Sequence, residues 1–257
     1  MGINKTEAKN PVQAAQTTFR ILEGLRELDG AGVTELADHL NLSKTSVYNY
    51  LKTLEQEEYV VRHGDRYYVG LKFLSLGTWA RRKQPVYEAA KSELKALADQ
   101  TGEYVNLLVE EHGRGVYLHR AVGENATKHK EYPGYRSHLH NTSVGKSILA
   151  HLPRSEVEAI IDERGLPATA KNTITDRDEL FEELSRIRER GYAFDDEESM
   201  DGFRCVGAPI INRRTEDVEG AISVSGPRSR MRNDRLEEEV PQLVLDAVNV
   251  IEINLSL

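Results

Sequence analysis

The chain of 257 residues has room for one large domain or two ordinary ones, and its 39% hydrophobic and 30% charged residues describe packed cores beneath a solvated surface. No apolar run is long enough to cross a membrane, the polar start (Met1 to Asn10) lacks a signal-peptide core, and a single cysteine, Cys205, excludes an intrachain disulfide, so the expectation is a cytoplasmic protein with no membrane partner. A net charge of −8 argues against nucleic acid until it is divided: residues 1–83 carry +2 and the remainder −10, so the positive end is the N-terminal one.

In chain order, residues 1–10 read as a disordered lead. A helix is predicted from Val12 to Leu28, with Ala14, Ala15, Phe19, Leu22, Leu25 and Leu28 as its apolar side and Gly30 and Gly32 as its stop. Leu36, Ala37 and Leu40 then recur at helical spacing, and after a tight break so do Val47, Leu51 and Leu54. Ser43 is the natural N-cap of that second helix. The runs from Tyr59 to His63 and Arg66 to Val69 flank Gly64-Asp65 as a hairpin. Three helices and a hairpin make a winged helix-turn-helix, whose second paired helix enters the DNA major groove.

The side chains on that helix suit the task, with no acid between Ser43 and Leu54. Asn pairs with adenine edges, Ser and Thr with bases or phosphate, and Lys with phosphate or guanine. Ser43, Lys44, Thr45, Ser46, Tyr48 and Asn49 are therefore the expected base-proximal set, with Lys52, Arg62 and Arg66 for phosphate.

A further helix, Leu71 to Lys83, carries Phe73, Leu74, Leu76 and Trp79, more apolar surface than a small domain needs and a plausible contact between two copies. Beyond Pro85 come a helix stopping at Thr101-Gly102, strands over Tyr104 to Glu110 and Val116 to Val122, and a helix over Thr142 to Leu152. Ser155 with Glu158 reads as a capping box opening the next helix, and Leu180, Leu184 and Ile187 mark another that ends at Gly191. Val206 to Asn212 and Gly220 to Ser225 read as strands, and Val240 to Leu255 as a closing helix. The order implies an α+β fold with a central, mainly antiparallel sheet, GAF-like in kind.

Four polar segments stand beside these elements: His138 to Lys146, Asp195 to Ser199, Gly202 to Cys205, and Ser223 to Pro227. Ser223 and Ser225 share one face of a strand. Small residues around Ser143 and Gly145 allow a ligand to approach a helix start, where N–H groups favour an anion, so the segments together suit a small carboxylate. Taken singly, Asp195 to Glu198 is a solvated turn and Cys205 a small core residue.

Val47, Tyr48, Leu51, Leu54, the Tyr68-Val69-Gly70 exit, His140 to Leu149, Asp195 to Cys205 and Ser223-Val224-Ser225-Gly226-Pro227 together resemble the IclR family of transcriptional regulators, from about Pro11 onward. The resemblance implies a winged helix-turn-helix over 11–70, a linker helix over 71–84 and an effector-binding, oligomerising domain over 85–257. Its partners would be double-stranded operator DNA, a small organic, aromatic or sugar-derived acid and further copies of the chain as dimer or tetramer, with no cofactor. Effector-pocket positions of the family match Ser143, Val144, Asp195, Cys205, Ser223 and Ser225. Asn49 replaces an Arg frequent in the family, and Ser143-Val144 a smaller Gly/Ala pair. Arg outnumbers Lys 22 to 12, which with the acidic surplus suits a haloarchaeal member.

Two alternatives stand beside this reading. One is an enzyme using Cys205 or a serine with His138 or His140 as base, although no nucleophile-elbow or metalloprotease spacing is present. The other is a metal-responsive regulator using His140, Asp195 and Cys205, with His129 or His138, although no tight ligand spacing is present.

Overall fold

The computed structural model describes residues 8–126 and 132–256, so most of the expected N-terminal lead and His129 lie outside the described residues. The chain divides into two compact units, the break falling between Ala80 and Arg81.

In the first unit, α1 (Gln13–Glu27), α2 (Val33–Leu40) and α3 (Lys44–Gln56) precede the antiparallel pair β1 (Val60–His63) and β2 (Arg66–Val69). Ile21, Leu25, Leu36, Val47, Leu51 and Tyr67 form its core. The apolar side of α1 is turned from expectation: Ala14, Ala15 and Phe19 are exposed, and Thr17 and Ile21 face inward in their place. Ala31 bridges Tyr67 through two backbone hydrogen bonds, fastening the hairpin to the end of α1. Asn41 adopts the left-handed conformation that turns α2 into α3, and Ser43 Oγ accepts the Ser46 N–H at 3.1 Å, as a cap should.

Helix α4 (Lys72–Arg82) has no buried residue; Leu71, Leu74, Leu76 and Trp79 are exposed along it. Phe73 does not belong to that stripe, since its ring leans on Tyr59 with centroids 4.8 Å apart.

The second unit is a six-stranded sheet between two helical layers. Its strands are β3 (Tyr104–Glu111), β4 (Arg114–Val122), β5 (Arg136–Ser137), β6 (Ala193–Asp196), β7 (Phe203–Ile211) and β8 (Val218–Pro227), in the order β5-β4-β3-β8-β7-β6, each pair antiparallel. Helices α5 (Pro85–Thr101) and α9 (Val240–Ser256) cover one face, packing on Val105, Leu107, Val206, Ala208, Ile222 and Val224. Helices α6 (Ser143–Leu149), α7 (Arg154–Arg164) and α8 (Arg177–Arg190) cover the other.

Period-two alternation thus sends apolar residues of β3, β7 and β8 to the α5–α9 side and leaves smaller and polar ones facing α6. The expected capping box at Ser155 is absent: the N-cap is Pro153, two residues earlier, and Glu158 is held by Arg154 Nε at 2.9 Å instead of reaching back. Strand β6 was expected as a turn. Asp195 within it is almost fully buried, because β6 pairs with β7 and closes the sheet edge.

Candidate functional site

Lys44, Thr45, Tyr48, Asn49 and Lys52 are among the exposed side chains of α3, while Val47, Leu51 and Leu54 hold the core. Ser43 is exposed and occupied as a cap; Ser46 is half-buried. Lys52 Nζ lies 2.5 Å from Glu55, an exposed pair that a phosphate can replace at little expense. Arg62 is exposed, its Nε donating to Gly64 O at 2.8 Å. Arg66 departs from its expected role. Its guanidinium donates to Gly30 O and pairs with Glu35 at 3.1 Å, so it braces the hairpin against α1 and α2.

In the second unit, cross-strand register assembles a polar field beneath α6. One row runs Asp195, Cys205, Ser225, Tyr104 across β6, β7, β8 and β3; the next runs Gly207, Ser223, Asn106, Arg120 across β7, β8, β3 and β4. Gly207 lets the helix start descend onto this field, for a Cβ there would sit 2.9 Å from Val144 N. Ser147 Oγ donates to Gly207 O at 3.0 Å and holds α6 in place.

Between α6 and the field lies a narrow cleft with about 10 Å³ of open space, lined by Tyr117, Thr142, Ser143, Val144, Asp195, Ser199, Phe203, Cys205, Ser223 and Ser225. All six effector residues expected from sequence meet there. Cys205, the chain's single cysteine, stands in its wall. Ser143 Oγ is buried with no hydrogen-bond partner among the described residues, an orphaned group of the kind a ligand or water normally satisfies. The expected anion seat on the helix N–H groups is partly occupied, because Thr142 Oγ1 accepts the Gly145 N–H at 3.0 Å.

Acidic residues reinforce one wall. Asp195 accepts from Glu198 N at 2.8 Å, Ser199 N at 3.2 Å and Ser199 Oγ at 2.5 Å. Burial pushes its carboxyl up, against these donors and Lys146. Lys146 Nζ lies 2.5 and 2.6 Å from the two Glu198 oxygens. Burial still outweighs that attraction and pushes Glu198 up to about 7. Thr169 and Thr173 hydroxyls donate to Glu198 O at 3.1 and 2.6 Å, pinning the loop from outside.

Neither His138 nor His140 lines the cleft. Their rings meet edge to face at 5.4 Å, and His140 Nε2 lies 3.2 Å from Pro167 O, so neither is offered to Cys205 or a cleft serine as a base. Burial lowers His140 to about 4. Among the described residues no three His, Cys, Asp or Glu side chains gather as a metal site, so His140, Asp195 and Cys205 do not form the trio considered from sequence.

The IclR helix-turn-helix model matches residues 14–64, and the model described as bacterial transcriptional regulator IclR C-terminal matches residues 80–253. The chain belongs to the IclR family. It is similar to the probable HTH-type transcriptional regulator ArcR of Halobacterium salinarum, at 36% identity over 95% of this chain and 94% of that one. The HTH-type transcriptional regulator KdgR of Escherichia coli is 31% identical, over 90% of this chain and 89% of its own. Among solved structures, the Thermotoga maritima IclR superposes with a TM-score of 0.78 at 31% identity, covering 95% of this chain and 98% of that one. An IclR homolog from Microbacterium hydrocarbonoxydans, complexed with 4-hydroxybenzoate, shares the fold with a TM-score of 0.80 at 20% identity, covering 95% and 99%. As an IclR-family member the protein is a transcriptional regulator that binds DNA through its helix-turn-helix.

Of the residues lining the cleft, Tyr117 was missed in the sequence, as were Asn106 and Arg120 behind it; Thr142, Ser199 and Phe203 stand inside the polar segments singled out there, though not among the named effector residues. Asn106 had a signal, a lone amide within the apolar run Tyr104 to Val109. The others are ordinary strand or loop residues until register brings them together.

Proposed function

We propose that the protein senses a small organic or sugar-derived acid in the cleft beneath α6 and adjusts its hold on a palindromic operator that controls catabolic genes. Residues 11–70 read DNA, 71–84 link and 85–257 sense and oligomerise. The chain acts as a homodimer or a dimer of dimers through the exposed stripe Leu71, Leu74, Leu76 and Trp79, an apolar surface of the kind that marks an interface. Lys44, Thr45, Ser46, Tyr48 and Asn49 read bases, and Lys52 and Arg62 meet phosphate.

The observation that carries the reading is the convergence of hydroxyls, with the orphaned Ser143 Oγ among them, on a narrow cleft containing one carboxyl group. The likeness of fold to an IclR homolog complexed with 4-hydroxybenzoate agrees with an acid ligand. The test is genome-wide occupancy of the tagged protein in cells grown on a panel of sugars and organic acids. Discrete palindromic sites upstream of one catabolic pathway, with occupancy that changes on one carbon source, support it. Absence of enrichment under every condition overturns it.

A further inference from the structure

Arg120 Nε donates to Asn106 Oδ1 at 2.8 Å, and Asn106 Nδ2 lies 3.2 Å from Ser225 Oγ and 3.4 Å from Ser223 Oγ. These side chains lie along the β4-β3-β8 register, on the face of the sheet that forms the cleft floor. The direction of each bond follows from chemistry. A guanidinium has donors only, so the Asn106 carbonyl must face Arg120. The amide NH₂ must therefore face the serines, and as a donor it leaves both serine oxygens accepting. A hydroxyl that accepts from behind has its own hydrogen free to turn forward. The two serine oxygens lie 3.4 Å apart, a long contact that uses at most one of the two hydrogens.

We propose that Asn106 and Arg120 are positioning residues that set the hydrogen-bond polarity of the cleft, making Ser223 and Ser225 donors toward a ligand's acceptor end, a carboxylate or keto oxygen. The inference rests on the effector reading above and deepens it. Neither residue lines the cleft; each acts through the next. The acceptor end is thereby recognised by neutral hydroxyls, with the orphaned Ser143 Oγ as a third available partner. A ligand offering only an ammonium group at this position would lack the acceptor that these hydrogens need.

Asn106→Asp separates polarity from shape. The aspartate keeps the size of Asn106 and its contact with Arg120, but its outer oxygen accepts, so the serine hydrogens turn back toward it. Calorimetric titration of the full chain with D-gluconate and with 4-hydroxybenzoate is the first arm. N106D is expected to weaken binding of whichever acid the parent protein takes by tenfold or more, while R120K, which keeps a donor against Oδ1, stays within about threefold of the parent. Equal affinity of N106D and the parent overturns the inference. Failure of the parent to bind either acid overturns the acid-effector reading on which it rests.

The second arm needs no ligand: neutron diffraction from deuterium-exchanged crystals of the parent protein. Deuterium on at least one of Ser223 Oγ and Ser225 Oγ directed into the cleft supports the assigned polarity. Both deuterons directed at Asn106 overturn it.

Discussion

Lys146 and Glu198 form an ion pair inside the protein, ammonium to carboxylate at 2.5 Å, with 1% and 9% of their side chains exposed. It ties α6 to the loop after β6, and so joins two walls of the cleft. Removing one partner leaves a charge buried without compensation, which costs about 3–5 kcal/mol, whereas removing both in favour of apolar side chains of similar volume is often neutral. Lys146→Met alone is therefore expected to lower unfolding free energy by about 3–5 kcal/mol in denaturant titration, and Lys146→Met with Glu198→Leu to recover most of it. Equal losses in the single and double variants would contradict the pairing.

Glu198 and His140 impose opposite pH dependences. Glu198 is raised from 4.5 to about 7, so the stability it contributes is complete below about 4.5 and is lost as pH rises through 7. His140 is lowered from 6.5 to about 4, so its contribution is present above 6.5 and is lost as pH falls through 4. Each window corresponds to about 3 kcal/mol at most. Glu198→Gln should flatten the fall in stability toward neutral pH, and His140→Asn the fall toward acid. Thermal unfolding of the three proteins between pH 4 and 8 reads both.

At Gly145 the geometry forbids any side chain. A Cβ would lie 2.2 Å from Leu139 O and 2.5 Å from Leu139 Cα, both backbone atoms that cannot step aside alone. Gly145→Ala is expected to destabilise by about 1–3 kcal/mol, and to displace the start of α6 from the cleft. A protein as stable as the parent by chemical denaturation would refute this.

For the DNA face, Asn49→Ala should relax discrimination at one operator position, while Lys52→Ala should weaken operator and random DNA alike and reduce the salt slope by about one. Arg66→Ala behaves differently. Because its guanidinium is held by Gly30 and Glu35, it should lower the melting temperature of the winged unit and leave the salt slope unchanged. Fluorescence anisotropy at several salt concentrations distinguishes the three.

Local signals explain which parts of the chain were legible. Periodicity and punctuation marked α1 to α5 and the two hairpins within a residue or two, since Ser43, Asn41 and Gly102 act on their immediate neighbours. Strand β6 was hidden because Asp195-Asp196-Glu197-Glu198 has the composition of a loop, and only pairing with β7 gives Asp195 a buried place. The six cleft residues were carried by family resemblance together with the alternation of Ser223 and Ser225. Asn106 and Arg120 needed the register between β3, β4 and β8, which no local pattern contains. Arg66 looked like a phosphate ligand because sequence shows a charge without showing what has already taken hold of it.

The central pair of the sheet, β3 with β8, joins Tyr104 to Ser225. During synthesis β3 therefore waits for more than half of the second unit to leave the ribosome before its inner edge is covered. The helices and hairpin that end by Val69 depend on no such distant partner and complete themselves first. Every newly made molecule thus passes through an interval in which a finished DNA-reading head trails an unassembled sensor, and the length of that interval is set by the speed of translation.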